Sequence, residues 1–211
     1  MPIITTPEAL RALFNPAGAR SVKKELPQLD PHATRFIGLS PFVVISSGHA
    51  SGTGLDASPR GGAPGFVKVK DAHTLLLPDA PGNNRLDTLD NIVSHGATGA
   101  PVGLLFLLPG VDETLRVNGL AWVSTDEADR EGCAEAHRVP KLAIRVQVQA
   151  SYLHCAKALM RSQLWDPTHQ VERSALPSMG EMMREQIRAF HGEETVAETQ
   201  EQMLERYRQT L

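Results

Sequence analysis

Pro101-Val102-Gly103-Leu104-Leu105-Phe106-Leu107-Leu108 runs through Pro109-Gly110-Val111-Asp112-Glu113 into Thr114-Leu115-Arg116-Val117-Asn118-Gly119-Leu120-Ala121-Trp122-Val123. The first run is short and continuously apolar, which is the pattern of a buried strand. The middle reads as a hairpin-like turn, and the last run as the next strand. A link this short joins antiparallel strands, because a parallel pair needs a long crossover.

Working outward, Lys141-Leu142-Ala143-Ile144-Arg145-Val146-Gln147-Val148-Gln149 is the cleanest strand in the chain. Leu142, Ile144, Val146 and Val148 share one face, while Lys141, Arg145, Gln147 and Gln149 share the face that meets water or a partner. Upstream, Phe42–Ser47 has strand composition. Gly48–Gly65 is rich in Gly, Pro, Ser and Asp and reads as an irregular loop. Phe66–Lys70 alternates and turns through Asp71-Ala72 into His73–Pro78, giving a hairpin. About six strands joined mostly by short turns favour an α+β protein whose antiparallel sheet closes into a barrel.

Helices flank these strands. Thr5 and Glu8 have capping-box spacing before the apolar stripe Ala9, Leu10, Leu13 and Phe14. A second helical piece covers about 19–26. Asp30-Pro31 starts a third that ends near Gly38. Leu86–Val93 is a short helix. Thr125-Asp126-Glu127 caps another to about Ala136, and Tyr152–Trp165 is helical. Ser178–Phe190, with Glu181 three residues after its cap, and Glu194–Tyr207 form a C-terminal extension. The expected division is a domain over 1–170 and a helical extension over 171–211.

The 211 residues carry a formal net charge of -3, which lacks the basic excess of a nucleic-acid binder. No apolar run is long enough to span a bilayer, and the first residues lack a signal-peptide pattern, so a cytoplasmic protein is expected. Cys133 and Cys155 are expected to be free thiols. The eight histidines are scattered, with no H-x-x-x-H or C-x-x-C pair, so no metal site is expected. Gly52-Thr53-Gly54-Leu55-Asp56-Ala57 matches G-x-G-x-x-A, but Ser58-Pro59-Arg60-Gly61-Gly62 follows and cannot be a helix interior. A P-loop is absent, and Ser58, placed before Pro59, is poorly suited to a nucleophile elbow.

Gly82-Asn83-Asn84-Arg85 combines residues that accept positive φ with a guanidinium, just before a helix start. That is the chemistry of a phosphate grip, and equally of an ordinary strand-to-helix turn. Arg60, Lys68, Lys157 and Arg161 are further cations that would suit an anionic ligand if the fold brought them together.

Three segments together resemble a known family. They are Asp56-Ala57-Ser58-Pro59-Arg60-Gly61 with Pro64-Gly65-Phe66-Val67, then Leu77-Pro78-Asp79 with Gly82-Asn83-Asn84-Arg85-Leu86-Asp87-Thr88-Leu89-Asp90-Asn91, then Val102–Leu107 with Glu113–Gly119. The chain is similar here to the bacterial pyridoxamine 5′-phosphate oxidase-related FMN-binding proteins of the flavin-reductase-like split-barrel group. His154–Ser162 with Trp165 extends the likeness, which covers about residues 20–170. The resemblance implies a six-stranded antiparallel split barrel and a homodimer with FMN at the subunit interface. The polar face of 141–149 and the helix after it are the expected interface parts. It further implies an FMN-dependent oxidoreductase acting on a small molecule.

Carried over by position, Asn83, Asn84 and Arg85 would grip the phosphate. Phe66, Val67 and Lys68 would line the flavin ring. Ser58, Arg60 and Pro78 belong to the same cofactor set, and Thr114 would reach the ring edge. Lys157, Arg161 and Ser162 would come from the other subunit. The flavin carries the electron chemistry, so no side chain is expected to be catalytic. The oxidase proper has an arginine-lysine pair where this chain has Asn84-Arg85, and its substrate-phosphate residues have no clear counterparts. The substrate is therefore left open, and a flavin-binding or redox-sensing module without turnover is the alternative. A haem-binding relative is less favoured, because no histidine stands out as an axial ligand.

Overall fold

The structure, a computed structural model, describes residues 3–135 and 138–209. Among them are seven strands: β1 Phe42–Gly48, β2 Leu55–Gly61, β3 Lys68–Asp71, β4 Thr74–Pro78, β5 Ala100–Leu108, β6 Val111–Ser124 and β7 Ala143–His154. They form one antiparallel sheet in the order β2-β1-β5-β6-β7-β4-β3. The class is α+β, as the sequence indicates. The count of six and the closed barrel are corrected: there are seven strands, and the edge strands β2 and β3 are not paired with each other.

The seventh strand is β2, inside the stretch read as a loop. Its Pro59 pairs with Val44, on an edge strand whose other side has no sheet neighbour. Proline is tolerated there because only one side of an edge strand needs its N–H groups. Composition masked the element.

The core follows from alternation. Val43 and Ile45 of β1, Leu104 and Phe106 of β5, Leu115 and Val117 of β6, and Val146 and Val148 of β7 are buried in one cluster. Leu75 and Leu77 of β4 join them, with Phe66 and Val67 just before β3. Helix α3 (Pro31–Leu39) adds Ala33 and Ile37, and α4 (Asp87–Ser94) adds Leu89 and Ile92.

One register shift, between Asn118 and Gly119, re-aims β7. Val148 faces the core, and past the shift Ser151 takes the inward position. That break in alternation is why 152–154 reads as helix. Instead Tyr152 and Leu153 pair with Arg116 and Leu115. The helix that follows, α6, covers only Lys157–Ser162.

Asp30 caps α3 as expected, accepting from Ala33 N at 2.7 Å. Thr6, one residue later than expected, caps α1 (Pro7–Arg11). The second helix, α2, covers Ala19–Lys23. Helix α5 spans Glu127–Gly132; its expected end at Ala136 lies outside the described residues, as do Met1 and Pro2. The C-terminal helices are α7 (Met179–His191) and α8 (Gln200–Arg208), each with a capping box. No described helix is long and apolar enough to cross a membrane.

The chain divides into two compact units. The first comprises residues up to Asp79 with Leu86–Ser162, and so holds the whole sheet. The second comprises Ala80–Arg85 with the residues from Gln163 onward.

Candidate functional site

Alternation along β2 puts Asp56, Ser58 and Arg60 on one side, paired across to Ser47, Ile45 and Val43 of β1. Ile45 and Val43 are core residues, so these three polar side chains lie on the inward face. Ser58 Oγ donates to Asp56 Oδ2 at 2.8 Å, and Thr88 Oγ1 of α4 sits 2.7 Å from that oxygen and 2.9 Å from Ser58 Oγ. Thr88 is buried. Arg60 Nη1 lies 4.0 Å from Asp79 Oδ1, a loose pairing. That contact joins β2 to the residue after β4, so the sheet curls until its two ends approach.

Arg60 Nε is buried without a hydrogen-bond partner. Leaving such a donor unmet is costly, and more so on a charged group. An acceptor of negative charge would satisfy it.

Lys68 donates to the Gly65 carbonyl at 3.0 Å. Phe66 and Val67 are core residues, so their main chain is what they can offer a ligand. Pro78 closes β4 opposite Ala143.

Thr114 lies elsewhere. It alternates with Leu115, which is in the core, and so faces outward with Arg116 and Asn118. There it lines a cavity of about 470 Å³ together with Val44, Leu105, Leu107, His154 and Cys155. Ala158 and Leu159 of α6 also line it. On that helix Arg161 Nε donates to the Lys157 carbonyl at 3.1 Å, and Ser162 Oγ to that of Leu159 at 3.1 Å. Lys157, Arg161 and Ser162 are exposed.

Asn83, Asn84 and Arg85 belong to the second unit. Asn84 has φ of 59°, the left-handed conformation the sequence suggests for this turn. Asn83 Oδ1 accepts from Arg85 N at 3.0 Å, an Asx turn that fixes it. The helix after the turn has no side-chain cap and carries Asp87 and Asp90 in its first turn.

The structure thus brings Ser58 and Arg60 together, and separately places Thr114 beside α6, on the opposite face of the sheet. Sequence reasoning missed Asp56, Thr88 and Asp79 as partners of Ser58 and Arg60. The spacing Asp56, Ser58, Arg60 carried a usable signal, since residues two apart on a strand share a face.

Among the described residues, no group of three or more His, Cys, Asp or Glu is placed to hold a metal. Burial pushes the Cys133 thiol up to about 11, a nearby Lys68 charge only partly offsetting it. Cys155 is exposed. Native protein is expected to titrate no more than one equivalent of thiol with Ellman's reagent, from Cys155, and two after unfolding. Two fast equivalents in the native protein would contradict the burial of Cys133.

The chain was compared with known proteins. The solved structures similar to it include pyridoxamine-phosphate-oxidase-family proteins and FMN- and FAD-binding proteins. HupZ of Group A Streptococcus is 16% identical over 59% of this chain and 93% of its own, with a TM-score of 0.47. A Clostridium acetobutylicum protein related to general stress protein 26, of the pyridoxinephosphate oxidase family, is 11% identical over 58% and 85%, with a TM-score of 0.42. An FMN-binding protein of Syntrophomonas wolfei is 8% identical over 70% and 96%, with a TM-score of 0.42. No family model and no curated protein matches the chain.

Proposed function

We propose that this protein binds FMN and acts as an FMN-dependent oxidoreductase on a small molecule. The observation that carries the reading is the unmet Arg60 Nε on the strand whose Asp56–Gly61 motif resembles the flavin-binding family. A guanidinium with an unmet buried donor and only a distant carboxylate fits an anionic cofactor. The motif resemblance gives Asn83, Asn84 and Arg85 the phosphate. Bound FMN would supply the two-electron chemistry, and the chain would bind and orient it.

The opposite orientation of Arg60 and Thr114 supports a split-barrel site completed by a second copy. One flat cofactor does not reach both faces of a sheet in a single chain, whereas two chains can present one face each. The half-exposed apolar side chains Val44, Leu105 and Leu107 give that second copy a surface to cover. A homodimer is therefore expected by sedimentation at micromolar concentration, and a monomer with FMN bound would refute it.

The decisive test is the visible spectrum of the purified protein. A colourless protein that stays so with excess FMN would sink the reading. Arg60→Ala and Arg85→Ala are each expected to weaken FMN by about 1.5–3 kcal/mol, the worth of one charge-assisted hydrogen bond. Unchanged affinity in either variant would remove that arginine from the site. Slow, substrate-independent reoxidation would favour a flavin-holding or redox-sensing module instead. The absence of clear substrate-phosphate residues in the sequence keeps that second reading in view.

A further inference from the structure

The C-terminal unit contains a cavity of about 830 Å³, within the usual size of a small-molecule site. Met179, Met183 and Ile187 stand four residues apart on one face of α7, and Met203 and Tyr207 likewise on α8. Both stripes line the cavity. Met203 is only 8% exposed, but Met179 and Met183 remain 45% and 46% exposed. Two apolar helix faces therefore open onto a common space without closing it. Methionine suits such walls, because an unbranched thioether chain adapts to apolar bodies of differing shape.

Three charged side chains line the same cavity: Arg184, Glu198 and Arg206. Two of them neutralise each other. Arg206 Nε and Nη2 donate to the two oxygens of Glu198 at 3.0 and 2.8 Å, and the Arg206 guanidinium lies over the Tyr207 ring. Among the described residues Arg184 has no carboxylate within ion-pair distance. Glu181, one turn before it, has Oε2 held by the Ser178 N–H and hydroxyl at 2.9 and 2.8 Å. The lining itself thus carries one net positive charge, on a partly buried Arg184 that attracts Glu181 through space without an ion pair, beside walls that are otherwise mostly apolar.

We propose that this cavity binds an amphipathic monoanion, with an aliphatic or aromatic body between the two methionine-bearing stripes and a carboxylate paired with Arg184. The charge balance selects the class. A neutral apolar guest would leave the guanidinium partly desolvated without a partner, and a dianion would exceed the single charge available. The proposal does not rest on the flavin reading, although the two share Asn83, which lines this cavity as well.

Calorimetric titration of the full-length protein with decanoate, below its micelle concentration, tests it, with 1-decanol as the uncharged counterpart. One saturable site is expected, with decanol at least several-fold weaker. Arg184→Gln should weaken decanoate about tenfold and leave decanol unchanged. Met183→Glu, at a half-exposed position that tolerates the change, should abolish both. Absent or non-saturable binding, or equal decanoate affinity in Arg184→Gln, would overturn the proposal. So would concentration-dependent self-association that Met183→Glu removes, since the groove would then be a surface for another copy of the chain. Asn83 of the turn assigned to the phosphate also lines this cavity, so FMN content is read in the same variants. Retained FMN with lost decanoate is expected. Joint loss of both in Arg184→Gln would make the cavity part of the cofactor site and overturn the proposal.

Discussion

Asp129→Ala is expected to lower unfolding stability by about 3 kcal/mol, toward the low end for removing one partner of a buried ionic cluster. Asp129 lies in α5 and is 1% exposed. Its Oδ1 accepts from Lys70 Nζ at 2.8 Å, and both oxygens accept from Arg145 Nη1 at 3.1 Å. Ser124 Oγ donates to Oδ2 at 2.9 Å. One carboxylate therefore ties β3, β6, β7 and α5 together. Truncating it leaves two cations facing each other without a counter-charge. The lysine and arginine side chains are 40% and 42% exposed, so water relieves part of that cost. Urea unfolding followed by circular dichroism measures the effect.

The same residue sets an acid limit. Burial raises the Asp129 pKa, but the hydrogen bonds from Lys70, Ser124 and Arg145 outweigh it, and the net shift is below the ordinary carboxylate value of 3.8. A lowered folded-state pKa means that the stabilisation is complete above the unfolded-state value. It is lost as pH falls through the lower, folded-state one. Asp129→Asn should flatten the pH dependence of stability below about pH 4 while costing stability at neutral pH. An unchanged acid limb in that variant would place the acid sensitivity elsewhere.

Gly119→Ala is expected to be comparably damaging, about 3 kcal/mol, because an inserted methyl here meets backbone that cannot give way. A Cβ at this position would overlap the Gln147 carbonyl oxygen and come within 3.2 Å of Val146 Cγ1. Gly119 sits at the register shift between β6 and β7, in the middle of the sheet. Gly103→Ala is the control. Its nearest neighbour would be Asn118 Oδ1 at an ordinary 3.6 Å, so a loss of less than about 1 kcal/mol is expected. Equal losses for the two glycines, measured by thermal unfolding, would count against the clash.

The strands that alternate cleanly were legible in the sequence. Leu142–Val148 carries its burial in its spelling, Val102–Leu108 announces a strand by its apolar run but not which side faces the core, and Asp30-Pro31 and Ser178-x-x-Glu181 announce their helices by cap chemistry. What stayed hidden depended on distant partners. Edge strand β2 is a strand because β1 is beside it, and its own Ser-Pro-Arg-Gly composition argues otherwise. The end of β7 stays extended because β6 continues alongside it past the register shift. Part of the site was legible in the same way. Asn84 adopts the turn conformation its side chain permits, whereas the Asp56–Ser58–Thr88 cluster needs α4 against β2, a contact between residues 32 positions apart.

The strand order has a consequence for synthesis. Both margins of the sheet, β2 with β1 and β3 with β4, come from the first 78 residues, while the three strands between them are made later. As the chain leaves the ribosome, two hairpins emerge with no strand pairing between them. They wait for β5 and β6 to extend one of them, and then for β7 to join the other. Until Gln147 is out, the β4 side that will pair with β7 lacks its full partner strand, and Leu75 and Leu77, which end up in the core, lack that cover. A nascent chain stalled before that point is the form most in need of a chaperone, and the joining of β7 to β4 is the step that ends the need.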